Sequence, residues 1–265
     1  MGAELTSIEP LRDVIGTKPL GIFSDIDGTL APIVGDPAKS KVSPRAKELL
    51  TGLIACHVRI ALVSGREIEA ARRIVGLENV AYAGNHGLHV WLNGSEETSE
   101  AVLQYAGQAQ KVLAEIGAIP HPGIEIEDKG PVLAFHYRNA ARQKFAREAI
   151  MAAIERAPGA AAFGVFEGRK IIELRPPLDI NKGTAIVRLA ERLGVRSAIA
   201  IGDDLTDVDM FRGVEELRRQ GMAGATVAVW SAEAPEGLLE ATDFWVRGVE
   251  GVECLLDSAL RALRD

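Results

Sequence analysis

The chain has 265 residues, 47% of them hydrophobic and 25% charged, with a net charge of −7. This composition excludes a disordered chain and allows one or two domains with a sizeable core, while the acidic balance disfavours nucleic acid or an anionic membrane as partner and no run approaches the roughly 18 apolar residues of a membrane span. Cys56 and Cys254 stand in no pairing pattern and the opening residues lack a signal-peptide pattern, so the expectation is a cytoplasmic protein without disulfides.

Residues 20–24 read as a buried strand leading into Asp25-Ile26-Asp27-Gly28-Thr29-Leu30. Pro44 to Ala55 reads as a helix, with Ser43 as N-cap and Leu49, Leu50 and Leu53 on one face. Residues 59–63 form a second apolar strand ending at Ser64-Gly65-Arg66. A helix follows over 67–75, then a short strand over 80–83 ending at Gly84-Asn85-His86-Gly87. Strands alternating with helices predict a parallel α/β sheet flanked by helices.

The rhythm then changes. Residues 88–92 end at the turn Asn93-Gly94, and a helix is expected over 100–117. Strands over 123–128 and 131–138, a helix over 140–156, and strands over 161–166 and 170–174 predict an α+β layer with an antiparallel sheet. After Pro176-Pro177 the first rhythm returns, with a helix over 182–193, a strand over 197–201, a helix start over 207–213, strands over 226–229 and 242–246, and a closing helix over 250–263. The expected organisation is a discontinuous α/β core, 1–90 with 178–265, interrupted by an α+β domain over 91–177.

Three apolar strands end in polar groups: Asp25 and Asp27, Ser64-Gly65-Arg66, and Gly202-Asp203-Asp204-Leu205-Thr206-Asp207. Asn181-Lys182-Gly183 opens a helix. In an open parallel sheet the C-terminal ends of the strands are where ligands bind. Two or three carboxylates there suit Mg²⁺ beside a phosphate, and the hydroxyl, backbone N–H groups and lysine suit the phosphoryl oxygens.

These four elements resemble, in order and spacing, the haloacid-dehalogenase-like (HAD-like) phosphohydrolases: DxDGT at Asp25 to Thr29, the strand-terminal hydroxyl at Ser64, the lysine at Lys182, and GDDxxD at Gly202 to Asp207. The resemblance implies a HAD-like Rossmannoid core whose inserted domain is a cap that selects substrate. It implies Asp25 as nucleophile, Asp27 as general acid and base, and Ser64 and Lys182 on the phosphoryl oxygens. It further implies Mg²⁺ on the Asp25 carboxylate, the Asp27 carbonyl and Asp203, with Asp204 and Asp207 nearby, through water or in an outer position.

The insertion sharpens the resemblance. Asn85-His86-Gly87, Glu127-Asp128-Lys129, His136-Tyr137-Arg138, Gly168-Arg169-Lys170, Glu173-Leu174-Arg175-Pro176 and Gly202 to Phe211 follow the order of motifs in trehalose-6-phosphate phosphatases. Val208 departs from that pattern, where a glutamate is usual. The resemblance implies that Glu127, Lys129, Arg138, Arg169 and Glu173 surround the sugar distal to the phosphate, with Lys170 as an alternative to Arg169, and that Gly65, Arg66, Asn85 and His86 contact substrate. It also implies a separate synthase chain as the source of substrate.

Plainer readings stand beside these. Arg66 either contacts substrate or pairs with a neighbouring acid, and His86 is either a substrate contact or a structural turn residue. His136 reads as a strand packing residue, Glu173 and Arg175 as a possible solvated strand face, and Trp91, Trp230 and Trp245 as core. Asp36 and Asp179 read as loop and turn acids, Cys56 as a residue with no role, and the protein as a monomer. Alternative activities are a phosphatase for sucrose-6-phosphate, mannosyl-3-phosphoglycerate or glucosylglycerol phosphate, a phosphomutase, and a non-catalytic sugar-phosphate sensor.

Overall fold

The computed structural model describes residues 2–36 and 39–264. The chain divides into two compact units, Met1–Glu97 with Ile180–Asp265, and Thr98–Asp179.

The first unit is built on a nine-stranded sheet. In chain order its strands are β1 (Ala3–Glu4), β2 (Leu20–Ser24), β3 (Arg59–Val63), β4 (Ala81–Gly84), β5 (His89–Leu92), β6 (Ser95–Thr98), β11 (Ser197–Gly202), β12 (Ala223–Trp230) and β13 (Phe244–Arg247), where β7 to β10 belong to the second unit. Across the sheet the order is β1-β13-β12-β11-β2-β3-β4-β5-β6. Every pairing from β1 across to β4 is parallel, and β5 returns antiparallel to β4.

Helices cover both faces, which is why the central strands read as nearly unbroken apolar runs. Period-two alternation sorts them. Ile22, Ile60, Leu62, Ile199 and Ile201 join a core with the helices α1 (Arg12–Gly16), α2 (Pro44–Ala55), α3 (Ile68–Val75) and α8 (Gly248–Arg264). Phe23, Ala61, Val63, Ala198 and Ala200 face the other way, with α6 (Lys182–Leu193) and α7 (Leu205–Arg219). The alanines on that face let α6 and α7 approach the strands closely.

The order of strands places β2 between β11 and β3, so the ends of β2, β3, β4 and β11 lie side by side. The ladder carries one step past β2, where the Asp25 N–H donates to the Ile201 carbonyl at 2.9 Å. Next to it the Ser64 N–H donates to Ala83 at 2.9 Å, the His86 N–H to Ser64 at 2.9 Å and the Asn85 N–H to Arg66 at 2.8 Å.

The second unit has a four-stranded antiparallel sheet, ordered β7-β8-β10-β9, from β7 (Glu125–Asp128), β8 (Leu133–His136), β9 (Gly164–Gly168) and β10 (Ile171–Arg175). Two helices, α4 (Glu100–Ile116) and α5 (Gln143–Glu155), pack on one face through Leu133, Phe135, Ile172 and Leu174. Alternation puts Glu127, Ala134, Glu173 and Phe166 in one row on the opposite face.

Several expected boundaries differ. The first unit extends to Glu97 instead of ending at residue 90, because β5 and β6 extend the large sheet. The strand expected over 161–166 begins at Gly164, since Pro158–Ala162 forms a short 3-10 helix. The tryptophans Trp91, Trp230 and Trp245, expected in the core, are only partly buried and carry arginine: Arg72 lies 3.8 Å from the Trp91 ring centre, and Arg247 lies 4.7 and 5.7 Å from those of Trp230 and Trp245. Indole packs on one side and offers its other face to a cation. No helix among the described residues is long and apolar enough to cross a membrane.

Candidate active site

At the end of β2 the chain turns through Asp25 to Thr29. Gly28 sits at φ +83, and a Cβ placed there would lie 2.1 Å from Asp203 Oδ2. Glycine therefore does two things here: it adopts the left-handed turn, and it lets the β2 and β11 turns come together. Gly202 is as tightly placed, with a Cβ position 2.3 Å from the Asp207 Cβ. The two glycine-and-aspartate motifs thus describe a contact between neighbouring strand ends.

Asp25, Asp203 and Asp207 are buried, and a carboxylate oxygen from each lies within 4.8 Å of the others. Lys182 Nζ donates to Asp25 Oδ1 at 2.7 Å and to Asp207 Oδ1 at 2.6 Å. Asn181 is what delivers this lysine. Its side chain caps α6, accepting from the Gly183 and Thr184 N–H groups, and the Thr184 hydroxyl reciprocates. A lysine in the first turn opposes the helix dipole, so the carboxylates and not the helix account for its position.

Burial works against the Lys182 charge, but Asp207 and Asp25 outweigh it and raise the pKa. Burial pushes the Asp25 carboxyl well above the usual range. Lys182 pulls against that, while Asp207, Asp203 and Asp27 push with it. Three buried carboxylates thus face one ammonium, a cluster that a divalent cation would complete. The donors are hard oxygens, the kind Mg²⁺ takes.

Asp207 is fully buried, and its second oxygen accepts from the Asp203 and Asp204 N–H groups at 2.9 and 3.0 Å. It braces both the lysine and the β11 turn. Asp204 does not join the three-carboxylate group. Its side chain caps α7 through the Leu205 N–H at 2.8 Å, so the group that converges contains Asp207 where Asp204 was expected as a ligand. Val208 follows Asp207 on the helix and packs against the core.

Asp27 is not one of the three converging carboxylates. Arg66 grips it with two bonds, Nε to Oδ2 at 2.5 Å and Nη2 to Oδ1 at 2.8 Å, and the Ser40 hydroxyl adds a third at 3.1 Å. Of the two readings of Arg66, the structure gives the ion pair. The Ser64 hydroxyl accepts from the Arg66 N–H at 3.2 Å, so the β3 turn is wound around its own serine. A Cβ at Gly65 would meet His86 Nε2 at 2.7 Å. Asn85 and His86, at φ 48 and 59, are buried in the adjoining turn. The Ser64 and His86 turns form one interlocked rim.

In the second unit, the sheet face opposite the helices carries a chain of charges. Lys129 Nζ donates to Glu173 Oε1 at 3.0 Å and lies 3.7 Å from Glu127 Oε2. Arg175 grips Glu173 Oε2 through Nε at 3.0 Å and Nη2 at 2.5 Å, and its guanidinium lies 4.7 Å from the Phe166 ring centre. Glu173 and Lys129 are 4% and 6% exposed, which overturns the solvated-face reading. His136, expected to be a packing residue, is partly exposed, and its Nε2 lies 2.8 Å from Glu127 Oε2. Arg138 donates from Nη2 to the Arg169 carbonyl at 3.1 Å, so these two expected sugar contacts are neighbours.

Sequence reasoning missed Ser40, which has no motif around it, and assigned no binding role to His136 or Arg175. For those two a signal existed: each is two residues along a strand from Ala134 or Glu173, hence on the same face.

The trehalose-phosphatase family model matches residues 23–237, a span that holds every one of these side chains. The chain belongs to the trehalose-phosphatase family. A trehalose-phosphate phosphatase of Mycobacterium bovis is 34% identical over 248 residues, covering 88% of this chain and 63% of that relative. The chain therefore spans less than two thirds of that relative's length. The trehalose-6-phosphate phosphatase C-terminal domain of C. albicans has the same fold, with a TM-score of 0.81 at 23% identity over 98% of this chain and 99% of that one. A haloacid dehalogenase-like hydrolase from Bacteroides thetaiotaomicron aligns with a TM-score of 0.63 at 18% identity over 91% of this chain and 99% of that one, which identifies the fold as HAD-like.

Proposed function

We propose that this protein hydrolyses trehalose 6-phosphate to trehalose and phosphate through an aspartyl-phosphate on Asp25. The observation that carries the reading is the Asp25–Lys182–Asp207–Asp203 cluster within a chain that the trehalose-phosphatase family model matches. Asp25 attacks phosphorus, the phosphorus–oxygen bond to the sugar breaks, and Asp27 gives its proton to the leaving sugar oxygen. Water then attacks the same phosphorus, Asp27 takes the proton, and phosphate leaves with the Asp25 carboxylate restored. Lys182 orients Asp25 by holding Oδ1, and with Ser64 it meets the charge that spreads over the phosphoryl oxygens. Asp25, Asp203 and the Asp27 carbonyl would hold Mg²⁺, which supplies charge neutralisation beside an anionic substrate.

The sugar is assigned to the second unit. Glu127, Lys129 and Glu173, together with Arg138 and Arg169, supply acceptors and donors suited to a disaccharide rich in hydroxyls. Gly65, Asn85 and His86 are assigned to the substrate's phosphate end. On the same reading the protein works as a cytoplasmic monomer on the product of a separate synthase chain.

The test is phosphate release from trehalose 6-phosphate, sucrose-6-phosphate, glucose-6-phosphate and mannosyl-3-phosphoglycerate, with Mg²⁺ and with EDTA. Metal-dependent release mainly from trehalose 6-phosphate is expected. Release mainly from another ester would keep Asp25 and Asp27 and remove the sugar assignment. Asp25→Asn should abolish turnover, and a variant that retains it would remove the covalent mechanism.

A further inference from the structure

Two carboxylates on the sheet face of the second unit opposite its helices, Glu127 and Glu173, differ in how they are held. Glu173 is buried and bonded on both oxygens, by Lys129 on Oε1 and by Arg175 on Oε2. Glu127 is 47% exposed, and its side-chain contacts among the described residues all fall on Oε2, from His136 at 2.8 Å and Lys129 at 3.7 Å. Among the described residues no side-chain donor meets Oε1, and an ionised carboxylate with one oxygen anchored is a fixed acceptor for a hydroxyl.

The anchor follows from sheet register. Glu127 stands opposite Ala134 and diagonal to His136, which is itself opposite Glu125. Diagonal neighbours on one face lie about 7–8 Å apart, within reach of two long side chains. Ionised Glu127 only accepts, so His136 Nε2 must carry the proton it shares. The His136 hydrogen bond is also the largest cause holding the Glu127 carboxyl below its usual range, against the opposing effect of burial.

We infer that His136 is a positioning residue for substrate selection: by tethering Glu127 Oε2 it aims Oε1 at a sugar hydroxyl. The inference deepens the sugar-phosphate reading and rests on it. His136 touches neither the phosphate nor the reacting atoms. Its effect is confined to how well a hydroxyl-bearing leaving group is distinguished from one that has none. Glutamine can replace it, because Gln Nε2 is a donor at similar reach, and alanine cannot.

The experiment compares wild type, His136→Ala and His136→Gln on trehalose 6-phosphate and on p-nitrophenyl phosphate, whose leaving group offers no sugar hydroxyls. In the alanine variant the ratio of kcat/KM for the sugar ester to that for the aryl ester should fall about tenfold, mainly through KM for the sugar ester. The glutamine variant should recover the ratio to within about threefold. Equal losses on both esters, no change in the ratio, or a glutamine variant as poor as alanine would each overturn the inference. Wild type is measured first across the sugar-phosphate panel. If it prefers another sugar phosphate, the trehalose reading fails while the His136 ratio is tested on the preferred ester; if it hydrolyses no sugar phosphate, both fail.

Discussion

Replacing Gly28 with alanine tests whether the β2 and β11 turns are built to touch. The added Cβ would start 2.1 Å from Asp203 Oδ2 and 2.4 Å from its Cγ, whereas real Cβ contacts stay beyond 3.0 Å. The Asp203 carboxylate must therefore withdraw by roughly 0.9 Å, or the Asp25 turn must open by as much. A misplacement of about 1 Å in a catalytic group costs on the order of 100-fold in rate. The φ of +83 adds backbone strain of about 1–2 kcal/mol for any residue with a Cβ. Gly94→Ala separates the two effects. Gly94 has a φ of +85 and nothing within 4 Å of its Cβ position, so it carries the strain without the clash. Both variants should melt a few degrees lower, roughly 2–4 °C per kcal/mol for a chain of this size. Only Gly28→Ala should lose about 100-fold in kcat/KM and need more Mg²⁺ for half-maximal rate. The assay is phosphate release against Mg²⁺ concentration, with thermal melts alongside. A Gly28→Ala enzyme with wild-type metal dependence and rate would refute the claim that Asp203 and the Asp25 turn share one site.

Arg66→Ala frees Asp27 from its two-bond grip, so kcat/KM for trehalose 6-phosphate should fall by about 10- to 100-fold and that for p-nitrophenyl phosphate by less, because nitrophenolate leaves without needing a proton. Equal losses on both esters would instead place Arg66 on the phosphate. Lys182→Met leaves three buried carboxylates without their ammonium, which should cost about 3–5 kcal/mol in urea unfolding with EDTA present. Added Mg²⁺ should return part of it, and a variant as stable as wild type in EDTA would contradict the charge argument. Away from the site, burial raises the Asp243 carboxyl, but bonds from Arg218 and the Thr226 N–H outweigh it and leave it below its ordinary value. A depressed carboxyl stabilises the fold above its unfolded value and loses that stabilisation as pH falls through the folded one. Asp243→Asn should therefore be less stable than wild type at neutral pH, with the gap closing below about pH 4; denaturant midpoints across that range check the sign.

The alternation of apolar strands and helices is enough to place Asp25, Ser64, Lys182 and Asp203 at one edge of a parallel sheet, because each either follows a short apolar run bounded by turn residues, which favours a buried strand, or opens a helix. The strand order itself was not legible. Nothing local in β11 says that it pairs with β2, a partner about 175 residues away, and the pairing becomes visible only in the ladder from Ser197 to Ile201. The edges were harder still: β1 has two residues and β6 four, too few for any periodicity to register.

The candidate site divides along the same line. Residues whose role is set by backbone position, such as Gly28 in its turn or Asn181 as a cap, can be read from a motif because the motif is the turn. Residues whose role is set by a partner elsewhere in the chain cannot. Arg66 could have met substrate or acid, and only the fold brings it to Asp27, 39 positions earlier. His136 is the sharper case. In the sequence it reads as a strand packing residue, yet period-two alternation sends it to the face opposite Leu133 and Phe135, where the diagonal register decides that it meets Glu127. Register is a property of two strands together, so a single strand's sequence cannot contain it. The contacts that tune selection in this protein are therefore expected to lie where strand pairing, and not motif spacing, fixes the neighbour.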